Sequence, residues 1–147
     1  MVRKILDNEF LVCELDDSLP VLRHAWKKAT PGEQFKLELL NVLEEYKTLT
    51  QRFKELAWLA DTTQLGELDE EMETWLVAEW EDLLFGKAGV KIHAVILGES
   101  IFADYPMENF KSDAEQKFQD YNVHLGVFSS QEEAYSWIKK QQVLNVH

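Results

Sequence analysis

The sequence has few of the residues that cross-link or interrupt a polypeptide chain. Its 147 residues include one cysteine, six glycines and three prolines. A single cysteine excludes a disulfide within the chain, and the low glycine and proline content excludes collagen-like and low-complexity structure. Cys13 stands in the apolar run 10–13, where we expect a small buried side chain. Because 46% of the residues are hydrophobic, the chain can form one domain over residues 1–147 with its own core.

Long hydrophobic runs and positive charge are also scarce. No segment approaches the roughly 18 apolar residues that a membrane-spanning helix needs, and the first ten residues lack the apolar core of a signal peptide. The chain has 27 acidic and 15 basic residues, so its formal net charge is −12. This charge repels nucleic-acid phosphates and anionic lipid surfaces. We therefore expect a cytoplasmic protein with no nucleic-acid partner and no membrane partner.

Hydrophobic patterns predict two strands followed by alternating helices and strands. The β-rich runs 9–15 and 20–27 flank a polar stretch, which predicts an antiparallel hairpin. Continuous apolar runs then predict covered strands, and three- and four-residue spacings predict helices. The later predicted elements are a helix from 30 to about 48, a strand at 56–60, a helix at 69–85, a strand at 91–97, a helix after Pro106 that includes Phe110, Ala114 and Phe118, a strand at 122–128 and a helix from 130.

Two segments have the sequence of a capping box at a helix start. Residues 30–33 combine a threonine, a proline and a glutamate three residues after the threonine. Residues 130–133 have a serine, Ser130, followed three residues later by a glutamate. Each hydroxyl is expected to accept a hydrogen bond from a free backbone N–H of the first helical turn.

The order β-β-α-β-α-β-α-β-α predicts the α/β class: a single mixed, mostly parallel sheet with an N-terminal antiparallel hairpin and about four helices. In such sheets, ligands and partners are met at the carboxyl ends of the parallel strands. Here those ends are residues 61–63, 98–100 and 128–130. We therefore expect any functional site at these residues and at the helix starts that follow.

Residues 58–71 resemble the corresponding segment of STAS domains, the family of anti-sigma-factor antagonists and stand-alone STAS/SEC14-like proteins. In that family a strand ends in an aspartate, and a short loop leads to Asp-Ser-Ser-Gly at a helix start. Here the aspartates are Asp61 and Asp69, with Leu65 and Leu68 between them. The resemblance implies a regulatory domain that works by binding another protein.

The sequence departs from the family pattern at the residues that are phosphorylated. The two serine positions are Glu70 and Glu71, and Met72 replaces the glycine. A glutamate has about half the charge of a phosphoserine, so this helix start would have a permanent negative charge in place of a switch. The alternative is that these acids only stabilise the first helical turn through the helix dipole.

The sequence contains no catalytic or cofactor motif. There is no phosphate-binding glycine loop, dinucleotide fingerprint or nucleophile elbow. His24, His93 and His124 all fall in predicted strands, so two of them could approach each other, but their spacing matches no metal motif. We therefore expect no enzyme activity, no metal and no cofactor.

Trp75 and Trp80 raise a question about which helix face is buried. Five residues of α-helix turn through about 140° beyond a full circle, so the two indoles should not share a face. An exposed tryptophan would fit a homodimer or a protein interface. The alternative is a wide buried face.

Two functional hypotheses follow. The first is a non-enzymatic interaction domain whose partner is another protein or a second copy of the chain. The second is a carrier or sensor of a small apolar ligand held beneath the aromatic-rich segment 101–110. The residues expected to serve such a surface or pocket are Asp61, Thr62, Thr63, Asp69, Glu70, Glu71, Ser100 and Phe102.

Overall fold

The structure, a computed structural model, describes residues 2–66, 68–97 and 115–146. These residues form one six-stranded mixed sheet in the order β1-β2-β3-β4-β5-β6. The β1–β2 and β2–β3 pairs are antiparallel, and the β3–β4, β4–β5 and β5–β6 pairs are parallel. The predicted α/β class with a mixed sheet is confirmed. The strands are β1 (Val2–Asp7), β2 (Leu11–Asp16), β3 (Val21–Trp26), β4 (Ala57–Asp61), β5 (Ile92–Ile96) and β6 (His124–Phe128).

Within the described ranges, three α-helices of six or more residues accompany the sheet. They are α1 (Gly32–Leu49), α2 (Glu70–Trp75) and α3 (Gln131–Val146), and a 3-10 turn spans Gln119–Tyr121. Two π-helical stretches, Leu76–Trp80 and Asp82–Lys87, extend α2 and together are called the π-helical segment below. The start of the helix predicted after Pro106, with Phe110 and Ala114, lies outside the described residues. No helix within the described ranges is long and apolar enough to cross a membrane.

β1 is a strand in a region where the hydrophobic pattern predicts no element. Its side chains are mostly exposed, with charges at Arg3, Lys4 and Asp7, so the hydrophobic alternation of a half-buried strand is weak. Backbone pairing with β2 holds it at the edge of the sheet. Charged side chains are a common feature of edge strands, where they discourage pairing with other chains.

The two faces of the sheet are covered by different helices. One face packs against α1, α2 and the π-helical segment and forms the larger core cluster, which includes Leu22, Trp58, Leu43 and Phe85. The opposite face packs against α3. The stripe predicted for α1 is buried as expected, at Phe35, Leu39, Val42, Leu43, Tyr46 and Leu49.

One of the two predicted capping boxes is correct. Ser130 Oγ accepts a hydrogen bond from Glu133 N at 3.2 Å. At the other helix start, Pro31 takes the N-cap position, and its carbonyl accepts from Phe35 N at 2.7 Å. The Thr30 hydroxyl donates instead to the Lys28 carbonyl, because the helix begins one residue later than the capping box requires.

Of the two alternatives for Trp75 and Trp80, the structure agrees with the wide buried face. Both are buried, and their rings stack with centroids 5.6 Å apart. In the π-helical segment, hydrogen bonds connect residues five apart, as from Glu81 N to the Leu76 carbonyl. This wider turn brings Trp75, Trp80 and Phe85 towards one face, whereas α-helical geometry would separate them.

Candidate functional site

A cavity of about 80 Å³ lies between the sheet and the π-helical segment. Its walls are almost entirely apolar, with Thr62, Leu65 and Leu97 at the carboxyl ends of β4 and β5. The Thr62 hydroxyl donates to the Ile96 carbonyl at 2.6 Å, so it links the two strands. The aromatic and imidazole rings in the wall belong to His24, Trp26, Phe35, Trp58, Trp80 and His93.

Trp58 positions both cavity histidines. Its indole Nε1–H donates to His24 Nδ1 at 2.8 Å. Its backbone carbonyl lies 3.0 Å from His93 Nδ1, and because a carbonyl only accepts, His93 Nδ1 is the donor. The alternation of side chains along parallel strands explains this arrangement, since β4 lies between β3 and β5 and all three side chains point to the same face.

Both histidines are held neutral. Burial lowers the pKa of His24 from 6.5 to about 3, with further lowering from His93 and Arg23. Burial also lowers the pKa of His93 to about 4, although the hydrogen bond with the Trp58 carbonyl opposes the shift. The cavity is therefore uncharged at neutral pH and contains two neutral imidazoles in fixed tautomers.

The predicted residues after β4 divide between the two faces of the sheet. Thr62 lines the cavity. The Asp61 carboxylate makes hydrogen bonds within the protein. Its Oδ2 accepts from Arg23 at 3.0 Å, and its Oδ1 accepts from the backbone N–H and the hydroxyl of Thr63. Asp61 and Thr63 thus form a turn on the face that α3 covers.

The predicted acids at the start of α2 lie outside the cavity. Asp69 caps the helix, because its Oδ1 accepts from Met72 N at 2.8 Å. Glu71 is exposed and lies 3.5 Å from Lys36 of α1. Glu70 is exposed as well. The other two predicted residues, Ser100 and Phe102, lie outside the described residues.

Neither metal nor thiol chemistry is evident in the described ranges. There, no group of three or more His, Cys, Asp or Glu side chains is placed to hold a metal ion. Cys13 lies opposite His24 in the β2–β3 register and is buried. Burial raises the pKa of its thiol to about 12, so the thiolate does not form at neutral pH.

The sequence patterns indicate that two of the strand histidines could approach each other, but they do not single out His24, Trp58 and His93 as a group. Each stands in a strand where alternate residues are apolar, so strand alternation places all three on one face. Their proximity depends on which strands are neighbours and on ring orientations, which strand patterns alone do not determine.

Comparison with known proteins identifies no relative of this chain. No family model matches the chain, and no curated protein or solved structure matches it significantly. The fold and the cavity define an α/β domain with an apolar site, and the STAS resemblance stays a prediction that rests on residues 58–71.

Proposed function

We propose that the chain binds a small, uncharged, mainly apolar molecule in the cavity beside Trp58. The observation that carries this proposal is an apolar cavity in the core whose wall includes two buried imidazoles. Binding sites for small molecules typically combine an apolar wall with a few placed polar groups. The proposal develops the ligand-carrier hypothesis, with the ligand against the sheet face near the carboxyl ends of β4 and β5, and segment 101–110 lies outside the described residues.

The cavity has an energetic cost that a ligand would offset. At about 24 cal/mol per Å³, an empty cavity of this size lowers stability by about 2 kcal/mol. Protein interiors are otherwise packed as densely as organic crystals, so a cavity of this size calls for an explanation. A ligand that fills it recovers the lost contacts.

The π-helical segment supports the same proposal. Leu76 and Trp80 from this segment form part of the cavity wall. π-Helical turns are rare and occur often at functional sites. Here the segment gathers Trp75 and Trp80 on the side that faces the sheet.

The electrostatics of the cavity favour an uncharged ligand. Burying an ion without a partner of opposite charge is costly, and both cavity imidazoles are neutral. Neither a carboxylate nor an ammonium group would therefore find a counter-charge on these side chains.

The test is to fill the cavity from the protein side. Ala60 lines the cavity, whereas Ala94 is fully buried in the tightly packed cluster under α3. We expect Ala60→Leu to change the free energy of unfolding by less than about 1 kcal/mol and Ala94→Leu to lower it by about 1–3 kcal/mol. Urea unfolding measures both, and xenon added under pressure should perturb the amide NMR signals around Ala60 in the wild type and not in Ala60→Leu.

Equal destabilisation by the two substitutions, together with no xenon response in the wild type, would overturn the proposal. The first result would mean that the space at Ala60 cannot accept a side chain. The second would mean that it cannot accept a ligand.

A second candidate function is recognition of a basic protein by the start of α2, as the STAS resemblance implies. It is favoured by the exposed carboxylates of Glu70, Glu71 and Glu79, which surround an open groove beside Trp75. Acidic side chains at the edge of an open groove would form the polar rim of a protein interface.

A further inference from the structure

The geometry points to a ligand that carries a hydroxyl group, which accepts a hydrogen bond from His24 Nε2–H and donates one to His93 Nε2. This inference rests on the proposed function and adds the chemical class of the ligand. It is carried by the hydrogen bonds that Trp58 makes to the two rings.

His24 is a donor towards the cavity. Its Nδ1 accepts from the Trp58 indole, so the proton of the neutral ring is on Nε2. The ring is 2% exposed and lines the cavity. Nε2–H is therefore the hydrogen-bond donor that this ring offers.

His93 is an acceptor towards the cavity, in contrast to His24. Its Nδ1–H donates to the Trp58 carbonyl, so Nε2 has a free lone pair and accepts. The ring is 5% exposed and lines the same cavity. Nε2 is therefore the hydrogen-bond acceptor that this ring offers.

A single neutral group that accepts one hydrogen bond and donates another matches this pair. A hydroxyl does both, whereas a carbonyl or ether only accepts and an ammonium only donates. Leaving a buried donor or acceptor unmatched is unfavourable, so the cavity should discriminate between ligands of equal shape by this criterion. The discrimination comes from the tautomers, which both depend on Trp58.

Three ligands of nearly equal shape test the inference in the wild-type protein. Scaling from an engineered cavity of about 150 Å³ that holds benzene, this cavity fits about three or four non-hydrogen atoms. The probes are 2-propanol, acetone, which only accepts, and 2-chloropropane, which hardly forms hydrogen bonds. Titration at pH 7.5, followed by amide NMR shifts, gives the dissociation constants.

We expect 2-propanol to bind at least as tightly as 2-chloropropane and about tenfold more tightly than acetone. Without the two hydrogen bonds, removal of the hydroxyl from water would make the alcohol at least about tenfold weaker than 2-chloropropane. Imidazole ¹⁵N shifts provide an independent check, because they report the Nε2–H tautomer for His24 and the Nδ1–H tautomer for His93.

Substitution of one imidazole gives a matched comparison. His93→Phe should weaken 2-propanol about tenfold more than it weakens 2-chloropropane, and the amide NMR spectrum of the variant checks that it folds. His124→Phe makes the same replacement in β6 and should change neither constant.

Two outcomes would overturn the inference, and they can be told apart. If 2-chloropropane binds and 2-propanol is at least about tenfold weaker, the hydroxyl assignment is wrong while the apolar ligand site stands. If neither these probes nor xenon binds, the proposed function fails and the inference fails with it.

Discussion

At the residue scale, Trp58 links the core to the cavity. Its ring lies edge-on to Trp80 and close to Tyr46, so it is packed on several sides. Through its indole and its carbonyl it also fixes the two histidine tautomers. A single buried residue thus sets both the shape and the hydrogen-bonding character of the cavity.

The two buried histidines predict a stability that falls in mild acid. In the unfolded chain a histidine protonates near pH 6.5, whereas burial lowers the folded-state pKa of His24 to about 3 and that of His93 to about 4. Below pH 6.5 the unfolded state therefore binds more protons, and the free energy of unfolding decreases as the pH falls. Each histidine contributes a slope of up to about 1.4 kcal/mol per pH unit. Urea unfolding between pH 7 and pH 5 measures the sum.

The control for this prediction is a histidine from outside the cavity. His124→Gln, in half-buried β6, should keep the decrease, and His93→Gln should reduce it. A free energy of unfolding that stays constant from pH 7 to pH 5 in the wild type would contradict the neutral, buried state of both rings.

Residue-level prediction from sequence reached only part of this site. The strand positions of His24 and His93 follow from the hydrophobic pattern, and so does the buried setting of Trp58. The hydrogen bonds do not, because they depend on β4 lying between β3 and β5 and on ring orientations that packing decides. Among the predicted site residues that the structure describes, Thr62 alone lies in the cavity wall.

At the element scale, regular helices were predictable and the π-helical segment was not. The buried stripe of α1 follows the ordinary α-helical period, and its burial matches the prediction. In the π-helical segment the period changes, and Leu84 and Phe85 are the buried residues of its second stretch. The packing of Trp75 on Trp80 stabilises a backbone form that local preference disfavours, and such tertiary contacts are not visible in the spacing alone.

Two glycines at the end of the π-helical segment should respond oppositely to alanine. Gly89 has a φ of +71°, so Gly89→Ala introduces left-handed strain of about 1–2 kcal/mol. Gly86 lies within the helix, where an added Cβ would meet Phe118 at 3.7 Å, an ordinary contact. Gly86→Ala should therefore stabilise the protein by about 0.5–1 kcal/mol.

Chemical denaturation of the two variants against the wild type decides this. The substitution is the same and the sites are three residues apart, so the difference isolates backbone geometry. Destabilisation of equal size in both variants would mean that the helix does not pass through Gly86 and end at Gly89.

At the scale of the whole molecule, the sheet architecture was the most predictable property. The hairpin, the parallel strands and the carboxyl-end loops all follow from strand patterns and from the right-handed crossover rule. The edge strand β1 was not predicted, because its charged residues interrupt the alternation of hydrophobic and polar side chains. The position of the cavity was not predicted either. The cavity lies on the sheet face that α1 and the π-helical segment cover, and its wall combines side chains from three strands.

The excess of negative charge gives a prediction that separates a recognition role from a helix-stabilising role. Glu70→Lys with Glu71→Lys removes two first-turn acids of α2 and the contact between Glu71 and Lys36. Because Glu71 is 77% exposed, that contact contributes less than about 1 kcal/mol. Loss of the dipole interaction adds about 0.3–1 kcal/mol for each acid. The melting temperature should therefore fall by only a few degrees.

Glu132→Lys with Glu133→Lys at the start of α3 is the matched control, because it removes two first-turn acids and makes the net charge of −12 less negative by the same amount. Both variants should lose similar stability in thermal unfolding. In pull-downs with immobilised protein, a basic partner should be captured by the wild type and by the α3 variant and lost only by the α2 variant. Such a loss would require local recognition, since overall charge is the same in both variants. Equal capture by the two variants, or a much larger stability loss in the α2 variant alone, would assign Glu70 and Glu71 to helix stability.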